Sequence, residues 1–93
     1  MYRIVLTCKG VPRDLGAVAA RDISEEFSHR TWYREVTCVC DGSQLVLQAD
    51  SDFDSDGLAL TDEFSDAISA CIEQGFDGDI EIASVGLLPG ERN

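Results

Sequence analysis

The sequence predicts an α+β domain in the order strand, helix, strand, strand, helix, strand, and three observations predict it. Apolar residues alternate with period two in three segments. They recur at three- and four-residue steps in two others, and the breaks between segments fall at Gly, Pro and Asp. The 93 residues suit a single domain with one core, ordered over roughly residues 2–88. An apolar fraction of 44% argues against disorder in spite of a formal net charge of −11.

Tyr2–Cys8 opens the chain as a half-buried strand, with Tyr2, Ile4, Leu6 and Cys8 on one face and Arg3, Val5 and Thr7 on the other. Gly10 and Pro12 end it, and Pro12 suits the first turn of a helix, where its missing N–H costs nothing. Leu15, Val18, Ala19, Ile23 and Phe27 then line one helical face, which predicts a helix running to about Arg30. His29 and Arg30 would stand at its negative C-terminal end. Trp32–Cys40 alternates again, placing Trp32, Val36, Cys38 and Cys40 inward and Tyr33, Glu35, Thr37 and Val39 outward. Tyr33 and Val39 would lie near a sheet edge, open to a partner. Asp41-Gly42 reads as a two-residue hairpin turn, and Gln44–Ala49 as the return strand with Leu45, Leu47 and Ala49 inward.

Residues 50–57 form a loop by composition. Leu60, Phe64, Ala67, Ile68, Cys71 and Ile72 share one face of a second helix, with Gly75 as its C-cap. Ile80–Leu87 is the last strand, and Pro89–Asn93 a frayed tail. The order gives a ferredoxin-like βαββαβ two-layer sandwich, a four-stranded antiparallel sheet with two helices on one face. The other face is open and offers Arg3, Val5, Thr7, Gln44, Val46 and Gln48. Without aromatics on those strands, it does not suit stacking of RNA bases.

The charge is divided along the chain. Residues 1–34 hold six of the seven bases against four acids, whereas 35–91 hold fourteen Asp and Glu and no Lys, Arg or His. Like charges at that density repel unless they spread over a surface or meet cations, either a metal or a basic partner. No apolar run is long enough to span a bilayer. The start, MYRIVLTCKG, lacks the features of a secretory signal, so a cytoplasmic location is expected. The bases are scattered, so direct binding to nucleic acid or a membrane surface is not expected.

Cys8, Cys38, Cys40 and Cys71 all fall on core-facing positions, where reduced cysteine behaves as a small hydrophobe. A zinc site would need the paired knuckle that Cys38-x-Cys40 does not supply. Catalysis finds little support either. His29 is the only histidine, at a helix end. The thiols lack an electropositive pocket, and there is no Gly-rich phosphate loop. The chain is therefore expected not to be an enzyme.

Asp52-Phe53-Asp54-Ser55-Asp56-Gly57, followed by Glu63, is similar to the calcium loop of EF-hand proteins over 13 of the 93 residues. The resemblance implies carboxylate ligands from Asp52, Asp54 and Asp56, the sharp turn from Gly57, the backbone carbonyl of Leu58 and a bidentate Glu63. The chain departs from that pattern in having a strand, not a helix, before the loop. Leu60 also stands at the ninth position, where a polar group is usual. Gly10-Val11-Pro12-Arg13-Asp14-Leu15-Gly16-Ala17 faintly resembles the bend of ACT-type regulatory domains, which implies a small-ligand site between the first strand and first helix.

The preferred reading is a non-enzymatic acidic binder. Asp50, Asp52, Asp54 and Asp56 in the loop, with Asp62, Asp66 and Glu73 off the apolar stripe of the second helix, would engage a basic protein partner and occlude a basic, nucleic-acid-binding surface on it. In size and charge the chain resembles small acidic inhibitors, toxin-neutralising immunity proteins and anti-CRISPR proteins. A calcium-binding module on the Asp52–Glu63 loop is the alternative and an ACT-like ligand domain the second alternative. Oligomeric state is left open.

Overall fold

A computed structural model of the chain describes residues 1–71 and 79–88. The elements are β1 (Tyr2–Lys9), α1 (Arg13–Phe27), β2 (Arg34–Asp41), β3 (Gln44–Ser51), α2 (Leu58–Cys71) and β4 (Ile80–Leu87). The strands form one sheet in the order β2-β3-β1-β4, with every neighbouring pair antiparallel. This is the ferredoxin-like arrangement that the element order predicts.

The period-two pattern decides which face of the sheet meets the helices. Ile4, Leu6 and Cys8 of β1 and Leu45, Leu47 and Ala49 of β3 are fully buried, while Arg3, Val5, Thr7, Gln44, Val46 and Gln48 on the other face are only partly covered. From α1 the core receives Ala19, Ala20, Ile23 and Phe27, and from α2 Leu60, Phe64, Ala67 and Ile68. Val18, expected on the buried stripe of α1, is half exposed. Gly16 takes part in the packing instead: a Cβ there would collide with Cys40 Sγ, so α1 approaches β2 as closely as it does only because residue 16 is glycine.

The boundaries depart from the sequence reading in four places. Pro12 is the N-cap of α1, with φ −59° and ψ 134°, and the helix begins at Arg13. At its other end α1 stops at Phe27, short of Arg30. Arg30 nevertheless serves that terminus, because its Nη1 donates to the Glu26 carbonyl at 2.8 Å. The hairpin turn is centred one residue later than expected: Asp41 pairs with Gln44, and Gly42 takes the positive φ of 68°. The largest departure is at the head of β2. Tyr33, expected outward, is 5% exposed, whereas Trp32, expected inward, is 50% exposed. The strand starts only at Arg34. Glu35 then adopts a φ of 51°, and the pairing with β3 shifts register between Arg34 and Thr37. Such a shift resets the parity on which the alternation depends.

β4 matches its expected span. Its pairing with β1 shifts at Val5/Leu6, which brings Ile80, Ile82 and Val85 opposite the inward residues Cys8, Leu6 and Ile4. The Gly75 cap, Ile72 and the 89–93 tail lie outside the described residues. No helix among the described residues is long and apolar enough to cross a membrane.

Cysteine burial is graded: Cys8 and Cys38 are buried, and Cys40 and Cys71 are partly buried against the same core. Burial pushes the Cys38 thiol up to about 12, helped by the neighbouring Cys40, Cys71 and Cys8, and burial raises Cys8 as well. A thiol-reactive dye at pH 8 should therefore label Cys40 and Cys71 in the native protein and reach Cys8 and Cys38 only on unfolding. Uniform labelling of all four within seconds contradicts this packing. The same burial gives a pH dependence. The Cys38 pKa is higher folded than unfolded, so its contribution is fully present below about pH 8.5 and is lost as pH climbs towards 12. Denaturant melts should show stability falling over that window, with a shallower fall in Cys38→Ala.

Candidate functional site

The loop between β3 and α2 is built by its own polar side chains. Ser51, fully buried at the end of β3, accepts the backbone N–H of Phe53 at 3.2 Å and of Asp54 at 3.1 Å through its hydroxyl. That bend turns Asp52 and Phe53 out to solvent and Asp54 in. Asp54 is 4% exposed, and its two carboxylate oxygens accept the N–H groups of Ala59 (3.2 Å) and Leu60 (2.9 Å). These are free donors of the first turn of α2, so Asp54 caps the helix from outside it and its charge faces the positive end of the helix dipole. Asp56 Oδ1 accepts the Leu58 N–H at 3.1 Å. Gly57, with φ 79°, makes the turn into α2, and a Cβ there would press on Ile4 and Val85.

A second assembly stands one helical turn along. Glu63 Oε1 accepts from Arg30 Nε, while Oε2 accepts from Trp32 Nε1 and from the Tyr33 hydroxyl, each at 3.2 Å. The Arg30 guanidinium also lies 4.9 Å from the centre of the Phe27 ring. Tyr33 packs edge-on against Phe27 at 5.9 Å, and its ring centre lies 6.2 Å from that of Trp32 and 5.9 Å from that of Phe53. Burial, reinforced by the charge and hydrogen bond of Glu63, raises the Tyr33 phenol well above the usual tyrosine range, so it stays a donor.

These contacts sort the expected site residues. Asp52, Asp56, Asp62 and Asp66 are exposed. Asp50 and Asp54 are not, which corrects their expected place on a partner-facing surface. Asp50, 4% exposed, takes a two-point contact from Arg3, Nε to Oδ1 at 2.9 Å and Nη2 to Oδ2 at 3.0 Å, because Arg3 and Asp50 are direct cross-strand partners. Glu73 lies outside the described residues.

The expected calcium ligands Asp52, Asp54, Asp56, Leu58 and Glu63 are not gathered round one point. Asp54 is committed to helix N–H groups and Glu63 to Arg30, Trp32 and Tyr33. Among the described residues no group of three or more His, Cys, Asp or Glu is placed to hold a metal ion. The two glycines behind the ACT-like resemblance have other tasks. Gly10, with φ 82°, turns the chain out of β1, and Gly16 admits Cys40.

One groove, about 390 Å³, lies between α1 and the end of α2 and is lined by Asp22, Glu25, Glu26, His29, Ala70 and Cys71. Burial raises the Cys71 thiol, and Asp22 and Glu26 raise it further. That is the reverse of the electropositive setting that activates a thiolate. The sequence reading missed Trp32, Phe53 and the donors around Glu63. The available signal was Phe53 itself, a large apolar side chain inside an acidic loop that has no need of it.

The capping geometry separates the loop's carboxylates by experiment. Asp54→Ala should lower stability by about 1–2 kcal/mol, because it frees two helix donors. Asp52→Ala should stay within about 0.5 kcal/mol, as expected for an exposed side chain without partners. Chemical denaturation of both variants checks this, and equal losses would contradict the capping role.

Comparison with protein-family models, with curated proteins and with solved structures gives no match.

Proposed function

We propose that the chain is a non-enzymatic acidic binding protein of the inhibitor or immunity type, occluding the basic surface of a protein partner with Asp52, Asp56, Asp62 and Asp66. One observation carries the reading. Arg3, Lys9, Arg21 and Arg30 each meet a carboxylate within the fold, at Asp50, Glu81, Asp22 and Glu63 respectively. Asp52, Asp56, Asp62 and Asp66 are exposed and meet no base among the described residues. Asp62 and Asp66 stand four residues apart on α2, where like charges repel by a few tenths of a kcal/mol per pair. An opposing basic surface removes that repulsion and is drawn to the loop at long range.

The partner's basic groove could be one that holds nucleic acid, since the exposed carboxylates present the charge a phosphate backbone would present. The raised thiols and the lone, exposed His29 support a binder over a catalyst.

A partner recovered from lysate on the immobilised chain supplies the test. Its association rate should fall steeply from low to physiological salt, where the Debye length is about 8 Å. Joint reversal of Asp52, Asp56, Asp62 and Asp66 to Lys should slow association more than it speeds dissociation. Asp54 is left in place, because reversing it would unseat α2. Salt-independent kinetics, or unchanged association by the reversed variant, would exclude the acidic surface as the binding face.

A further inference from the structure

Trp32 and Phe53 are half exposed, at 50% and 52%, on either side of buried Tyr33. The three rings cluster at the corner where the chain leaves α1, enters β2 and passes from β3 to α2, with Trp32 tilted 48° and Phe53 40° to Tyr33. The cluster is held in place. The Trp32 indole and the Tyr33 hydroxyl donate to one oxygen of Glu63, and Ser51 holds the backbone N–H of Phe53. Asp52 directly precedes Phe53, and Asp56 follows in the same loop, both exposed and without a base among the described residues.

Exposed rings in one corner with loop carboxylates that meet no base suit one kind of side chain better than any other. A guanidinium is planar and weakly hydrated, so it can lie on a ring face while its edge donates to a carboxylate. An ammonium is a compact, strongly hydrated charge that is also drawn to a ring face but cannot lie flat on it, and it gives up more hydration in approaching one. The chain already contains that combination: Arg30 lies over Phe27 while its Nε donates to Glu63. We propose that Trp32, Tyr33 and Phe53, together with Asp52 and Asp56, form a docking platform for an arginine side chain on a basic segment of the protein partner. The inference rests on the acidic-binder reading and specifies its contact point. Charge complementarity sets the occupant, since a net charge of −11 disfavours a second copy of this chain or a phosphate-bearing ligand.

Trp32 is the only tryptophan, so its emission reports on the platform directly. The full chain is titrated at low ionic strength with octa-arginine and, separately, octa-lysine, read by Trp32 fluorescence and by calorimetry. Both peptides should bind. Octa-arginine should perturb Trp32 emission and bind more tightly by roughly two- to five-fold for one stacked guanidinium. Phe53→Leu, which keeps apolar bulk without a ring, should reduce the arginine preference, and so should Phe53→Ala. Joint Asp52→Asn and Asp56→Asn should weaken both peptides. Thermal melts establish that the variants are folded, which the exposure of these side chains favours.

Equal affinities with unchanged Trp32 emission, or a preference that survives Phe53→Leu intact, would overturn the platform and leave the acidic-binder reading standing. Failure of both peptides to bind at low ionic strength would overturn the two together.

Discussion

The Asp54 carboxylate, buried at the head of α2 with one oxygen on the Ala59 N–H and the other on the Leu60 N–H, is the contact on which the acidic half of the chain is organised. A buried carboxylate is costly unless its oxygens are satisfied, and helix N–H groups at the positive end of the dipole satisfy them well. Anchored there, α2 lays Leu60, Phe64, Ala67 and Ile68 onto the sheet. The same anchoring sets Glu63 level with Tyr33. It also forces the preceding residues outward, because the bend at Ser51 that turns Asp54 in turns Asp52 and Phe53 out. One inward carboxylate thus determines the exposure of its neighbours.

The division of charge along the sequence becomes a division of labour in space. Three bases from the first third of the chain reach across to acids in the remainder: Arg3 to Asp50, Lys9 to Glu81 and Arg30 to Glu63. They differ in worth. Lys9 and Glu81 are both well exposed and 3.8 Å apart, a pair that contributes little to stability. Arg3 holds Asp50 at two points against the sheet, and Arg30 joins α1 to α2 through a half-buried carboxylate that also organises two aromatic side chains. Arg3 and Arg30 thus stand where an acid would otherwise be buried or half-buried without a partner. What remains on the loop and the outer face of α2 is negative.

The strands and helices were legible in the sequence because their apolar periods are clean. Ile4, Leu6, Cys8, Leu45, Leu47 and Ala49 obey strict alternation, and all are buried. Parity failed only at Trp32 and Tyr33, where a positive φ at Glu35 and a register shift break the alternation that the reading assumes. Neither event has a marker in residue type, since Glu is not a residue expected in the left-handed region. The acids were legible as a group but not one by one. Asp50, Asp52, Asp54 and Asp56 carry the same chemistry, and alternation along an extended segment gives them one face. The structure divides them because Arg3 stands opposite Asp50 and because Asp54 alone turns inward to take two helix donors, whereas Asp56 takes one, the Leu58 N–H, from an exposed position. Caps of that reach, five and six residues along the chain, fall outside the local spacing that reveals an ordinary N-cap.

Steering and holding a partner require different surfaces, and on the proposed function the corner around Glu63 would join the two. Exposed carboxylates act over about a Debye length and govern how often a basic partner arrives, yet each contributes little once it is in contact with water and salt. Residence depends on contacts that exclude water, for which aromatic residues and arginine are the common anchors. Such anchors contribute most when they need not be ordered on binding. Trp32 and Tyr33 meet that condition because Glu63 fixes their polar atoms, and Phe53 because Ser51 fixes its backbone. Glu63, the residue the sequence offered as a metal ligand, thereby has a structural reason to be acidic: only a carboxylate can accept from an arginine, an indole and a phenol at once.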